Sequence, residues 1–170
     1  MIRSLVAAAS LLTLLAAPGP AAAQSIACPP GTQPGSAETP TARLRWCERP
    51  APGGPIRHGP MVGFYPSGRR SLEVVFVDGT PRGALQAWYE SGTPSASGDT
   101  RPDNGTLTLW DERGRRRALI EVRAREVVTR AWDEQGKDEP YQEARLAKVL
   151  SANRDLSFIM TLFAVGIGIQ

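Results

Sequence analysis

Four segments of this 170-residue chain repeat one pattern, and no other feature limits the fold so strongly. They begin at Gly59, Gly83, Gly105 and Val127 and close on a turn glycine: Gly68, Gly92, Gly114 and Gly136. The glycines are spaced 24, 22 and 22 residues apart, and Phe64, Trp88, Trp110 and Trp132 each stand four residues before one of them. Self-similarity at a fixed period in this range marks a repeat architecture, in which each unit buries its surface against the next.

Each unit reads as a β-hairpin. Leu85–Tyr89 and Leu107–Asp111 are strand-length and rich in aromatic and β-compatible residues. The turn glycine fits a three-residue hairpin loop, which needs one residue at positive φ. Return strands follow at 72–77 and 118–122, and Asp78-Gly79 and Asn104-Gly105 supply tight turns into the next unit. Two strands of about seven residues and two turns account for the period. The return strand near Asp99–Asp103 is the weakest, because Gly98 and Pro102 shorten it. The expected fold is all-β: an elongated single antiparallel sheet of stacked hairpins over 58–137, with a short C-terminal helical cap.

After Lys137 the pattern stops. Asp138 can cap a helix and Pro140 suits its first turn, while Leu146, Val149 and Leu150 form an apolar stripe. These predict a helix over 139–152, within a capping segment 138–155 that covers the last hairpin's open edge. The remaining tail, 156–170, is uncharged, and Leu156–Ile169 is 14 residues long, about 21 Å as a helix. That is short of a bilayer's hydrocarbon core, so the tail is expected to complete the cap or to meet a partner or a membrane surface peripherally.

The N-terminus reads as an export signal over 1–23. Arg3 is its charged start, Leu5–Ala17 its apolar run and Ala21-Ala22-Ala23 its cleavage site. Export places the chain in the periplasm, at the cell surface or outside, and disfavours a nucleic-acid partner. In an oxidising compartment the only two cysteines, Cys28 and Cys47, are expected to pair. Ser25-Ile26-Ala27 fits a lipoprotein signal on Cys28 poorly. Ten of the 15 prolines lie between Pro18 and Pro60, so 24–57 reads as a linker-like, disulfide-tied leader.

The element Arg57-His58-Gly59-Pro60 followed by Tyr65-Pro66-Ser67-Gly68, recurring as Arg82-Gly83 followed by Trp88-Tyr89-Glu90-Ser91-Gly92, resembles the MORN-repeat variant of exported bacterial proteins. The fit fades in the last two units, where Asp111 and Asp133 replace the tyrosine. The Cys28…Trp46-Cys47 leader also resembles the one preceding such repeats in some exported proteins. The resemblance implies an elongated hairpin sheet with a binding or scaffold role and no catalysis.

Little chemistry competes with that expectation. His58 is the single histidine, so neither a multi-histidine metal site nor a motif-supported triad is available, and no cofactor loop is present. The acidic residues Asp133, Glu134, Asp138 and Glu139 match no calcium-loop spacing. Two features remain as candidate binding residues. Arg115 and Arg117 of the basic cluster point to one face of a strand, toward an anionic lipid, glycan or protein. Trp88, Trp110 and Trp132 stand above one another on one face. If the Leu85/Leu107/Leu109 face is the core, the tryptophans form an exposed stripe; if the Trp face is the core, they are packing, which the size of aromatics favours. The expected partner is an envelope protein, with a glycan as the alternative.

Overall fold

A computed structural model describes residues 25–102, 104–123, 126–139 and 154–168. The export signal over 1–23 lies outside them. Ten strands form one antiparallel sheet in chain order: β1 (Gln33–Glu38), β2 (Arg43–Arg49), β3 (Ile56–Phe64), β4 (Arg70–Val77), β5 (Thr80–Trp88), β6 (Pro94–Asp99), β7 (Thr106–Trp110), β8 (Arg116–Arg123), β9 (Glu126–Trp132) and β10 (Asp138–Glu139). Among the described residues one helix, α1, spans Arg154–Ile167.

The four repeat turns are identical in backbone. Tyr65, Tyr89, Asp111 and Asp133 each donate their N–H to the carbonyl four residues on and accept the N–H of the turn glycine three residues on. Gly68, Gly92, Gly114 and Gly136 hold φ between 75° and 93°, the left-handed position that this loop requires. Three return strands then carry one extra residue at the same place. Register slips between Gly63 and Phe64, between Ala87 and Trp88 and between Leu109 and Trp110, leaving Ser71, Ser95 and Arg117 unpaired. The weak return strand is β6, which lies at Pro94–Asp99, ahead of the Asp99–Asp103 stretch expected, and is six residues long against eight for β4 and β8.

Sheet faces follow from register, because directly paired residues point the same way. Trp46, Met61, Val74, Leu85, Gly98, Leu107 and Ile120 lie in one cross-strand row. With Leu72, Ala87, Ala96, Leu109 and Ala118 they make the core face. Ile159, Leu162, Phe163 and Ile167 of α1 pack on it at helical spacing. Two glycines allow close approach. A Cβ on Gly105 would strike Ile167, and one on Gly166 would lie 2.6 Å from Thr100 Cβ. Gly105 is therefore needed for helix docking; its φ is not positive, and the expected Asn104-Gly105 turn does not use it that way. Arg82 Nη1 donates to the Gly166 carbonyl at 3.2 Å, satisfying the helix C-terminus.

Two sequence expectations change here. The linker-like leader contains β1 and β2, a further hairpin that extends the sheet through pairing of β2 with β3. Cys28 and Cys47 are bonded, and Cys47 is fully buried. The tail 156–170 does not cap the fourth repeat: its described part is the body of α1, which lies mainly across β5 in the middle of the sheet. A single-layer sheet needs a second layer over one face more than a plug at its edge. The helix expected over 139–152 falls on residues outside those described, except Glu139, which pairs with Ala131 in β10.

Candidate binding face

The second sheet face has no covering layer among the described residues. One of its rows runs through Glu73, Gln86, Ser97, Thr108, Leu119 and Arg130. Trp88 and Trp110 follow two residues after Gln86 and Thr108 on regular strands, so they share that face. The Leu face is thus the core, and Trp88, Trp110 and Trp132 are half-buried on the opposite side. The expectation that the tryptophans are core packing is not met. The reason is the paired leucines: they, and not the larger rings, face α1.

The row holding the tryptophans alternates arginine with aromatics. Register pairs Arg43 with Phe64, Phe64 with Arg70, Trp88 with Pro94 and Trp110 with Arg116. Phe64, flanked by two arginines, is 3% exposed although it lies opposite the core. The Arg116 guanidinium lies 3.9 Å from the Trp132 ring centroid, a cation–π stack. Only at Pro94 is the arginine missing. There the sheet opens a groove of about 380 Å³ lined by Gln86, Trp88, Pro94, Ser97 and Trp110, with Gly114 at its end. Gln86 is legible from the sequence as the in-strand neighbour of Trp88 on the tryptophan face; Pro94 is not singled out. The signal was present in the repeat alignment, where Arg70 and Arg116 follow their turn glycines by two residues and Pro94 follows Gly92.

Arg115 and Arg117 are committed elsewhere. Arg115 Nη2 is 2.8 Å and Arg117 Nη1 3.4 Å from Asp111 Oδ2. Arg117 Nε also donates to the Trp132 carbonyl, and Arg115 Nη1 to the Glu134 carbonyl. These bonds replace a device used twice before. The Tyr65 hydroxyl donates to the Trp88 carbonyl at 2.7 Å, and the Tyr89 hydroxyl to the Trp110 carbonyl at 2.8 Å. Where Asp111 stands in the tyrosine's place, Arg117 reaches the same carbonyl one repeat on. Partial burial pushes the Asp111 carboxyl up, but the Arg115 N–H and guanidinium and the Arg113 N–H outweigh it and hold it below the usual carboxylate value. Arg115 and Arg117, expected as candidate anion-binding residues, are thus engaged in a structural clasp.

The remaining charged groups have local roles. Asp78, a turn residue at φ 52°, accepts from Arg49 Nε at 3.0 Å, and its Oδ1 lies 3.0 Å from His58 Nδ1. The Arg49 and His58 contacts hold its carboxyl below the ordinary value. Asp133 Oδ1 accepts the N–H groups of Gln135 and Lys137 and so closes its own turn. No three His, Cys, Asp or Glu side chains gather as a metal group among the described residues. Among those residues no helix is long and apolar enough to cross a membrane.

Comparison with known proteins adds nothing to this geometry: no family model matches the chain, and no curated protein or solved structure matches it significantly.

Proposed function

We propose that the chain is an exported, non-catalytic, MORN-like repeat scaffold that binds another cell-envelope component, a protein, through its open sheet face. The observation carrying this reading is the asymmetry of the sheet. One face is a buried apolar core on which α1 packs, while the other keeps two half-buried indoles around a groove with polar neighbours. Partly exposed aromatic grooves rimmed by polar groups favour recognition over packing. The Cys28–Cys47 bond suits an oxidising compartment, which supports export to the periplasm, the cell surface or beyond.

The test is capture from envelope extract by the mature protein on resin. A defined set of proteins is expected on the wild type and on Phe158→Ser, which alters the exposed side of α1. That set should be absent on the double variant Trp88→Ala/Trp110→Ala. An unchanged set would overturn the reading. A glycan-binding role is the second reading, favoured by the two indoles beside the Gln86 amide and Ser97 hydroxyl. Binding on a glycan array, lost in the same double variant, would establish it instead. The anionic-lipid alternative is weakened because Asp111 already holds Arg115 and Arg117.

A further inference from the structure

The geometry points to the Trp88–Trp110 groove as a receptor for the guanidinium of an arginine side chain on the partner protein. This inference rests on the open-face reading above and adds what the face recognises.

The fold supplies the argument. Along the turn-proximal row, arginine and aromatic positions alternate from Arg43 to Trp132, with Pro94 the exception. In the interval between Trp110 and Trp132, Arg116 from β8 fills the space and stacks on an indole. Beside Phe64, Arg70 occupies the equivalent site and pairs with Glu73 Oε2 at 2.8 Å. Between Trp88 and Trp110 the intervening strand brings a proline, which reaches neither ring as a cation. Trp88 and Trp110 are two strands apart, roughly 10 Å, which leaves room for one planar group between side chains rising from them. Among the described residues no cation is stacked on either ring. The site therefore has the walls of the neighbouring cation–π stack without its cation. A guanidinium is planar and weakly hydrated, and it stacks on indole more readily than an ammonium does. Gln86 and Ser97 add oxygen acceptors on the same face for its N–H groups.

The probe is a short blocked peptide, Gly-Gly-Arg-Gly-Gly, titrated into the full mature protein up to about 10 mM while the indole N–H resonances and tryptophan fluorescence are followed. Its controls replace arginine by citrulline, which keeps the shape but not the charge, and by lysine. Saturable shifts of the Trp88 and Trp110 signals are expected. The citrulline peptide should bind about tenfold more weakly or worse. The deciding variant is Pro94→Arg, which installs the arginine present at positions 70 and 116. Because two repeats already hold arginine there, the fold should persist, with an unchanged thermal midpoint, and the variant should no longer bind the peptide. Equal binding of arginine and citrulline peptides, no saturable shift, or full binding by Pro94→Arg would each overturn the proposal. Binding of oligosaccharides at the same resonances without the arginine peptide would overturn it in favour of a sugar. Loss of peptide binding alongside intact protein capture would remove the guanidinium assignment and leave the open-face reading standing.

Discussion

Asp111 shows how one substitution within a repeat is absorbed. At this position the first two units carry tyrosine, whose hydroxyl reaches a tryptophan carbonyl in the next unit. An aspartate is too short for that reach, yet the bond survives because Arg117 makes it and Asp111 anchors Arg117. Four donor groups meet one carboxylate: the N–H groups of Arg113 and Arg115 on Oδ1, and both guanidinium groups on Oδ2. Replacing Asp111 with Asn keeps the shape and removes the charge, and should destabilise the protein by about 1–2 kcal/mol in urea unfolding. The pH dependence has a definite sign. The folded carboxyl lies below its ordinary value of 3.8, so its contribution is complete above that pH and is lost as pH falls through the lower folded value. Asp78 has the same direction, through Arg49 and His58. Unfolding midpoints measured from pH 6 to pH 2, as roughly spaced steps, should therefore fall on the acid side, and Asp111→Asn should flatten that fall. An identical acid slope in both proteins would remove Asp111 from the account.

The element that decides the architecture is α1. It brings an apolar stripe onto the centre of the sheet, and its fit depends on two residues without side chains, Gly105 and Gly166. Gly105→Val should push Ile167 off the sheet and cost roughly 1–3 kcal/mol, the range for overpacking a filled contact. The thermal midpoint and dye binding by exposed apolar surface would record it; a neutral result would mean that α1 docks elsewhere. Deletion of 154–170 should be harsher, because it removes Ile159, Leu162, Phe163 and Ile167 from the core cluster and uncovers Leu85 on β5. This element also marks where sequence reading stopped. The hairpins were legible because each turn has a local chemical requirement, a glycine at positive φ, which the sequence states outright. The Leu and Trp faces were equally legible as alternating sets. Which of them is the core was not, because that depends on a helix far along the chain whose apolar residues fit either face by composition. Pro94 became informative only once the bulges fixed which residue opposes which ring. The leader misled for a related reason: proline and glycine discourage strands locally, but β3 offers an edge on which β2 pairs, and the disulfide ties the segment before β1 to β2.

At the scale of the molecule, a sheet in strict chain order behaves nearly as a one-dimensional array. Each strand touches its sequence neighbours, so across the described strands stability is the sum of units and of interfaces between them. Two devices break that uniformity. α1 clamps β5 and β6 from above, and the Cys28–Cys47 bond, 19 residues apart in sequence, ties the first hairpin. The clamp and the tie act on different parts, so they should fail separately. A disulfide closing about 20 residues is worth roughly 3 kcal/mol on the chain-entropy account. It acts where packing is thin, since β1 is exposed along most of its length and Cys47 is the one fully buried residue of β2. Converting both cysteines to serine should therefore loosen β1 and β2 while the helix-clamped centre stays closed. Amide hydrogen exchange resolves this directly. Protection should drop by two orders of magnitude or so across 33–49, in line with that loss, while 84–87 and 107–109 keep their protection. Uniform acceleration through all ten strands would mean that the sheet unfolds as one cooperative block, and the array description would have to be abandoned.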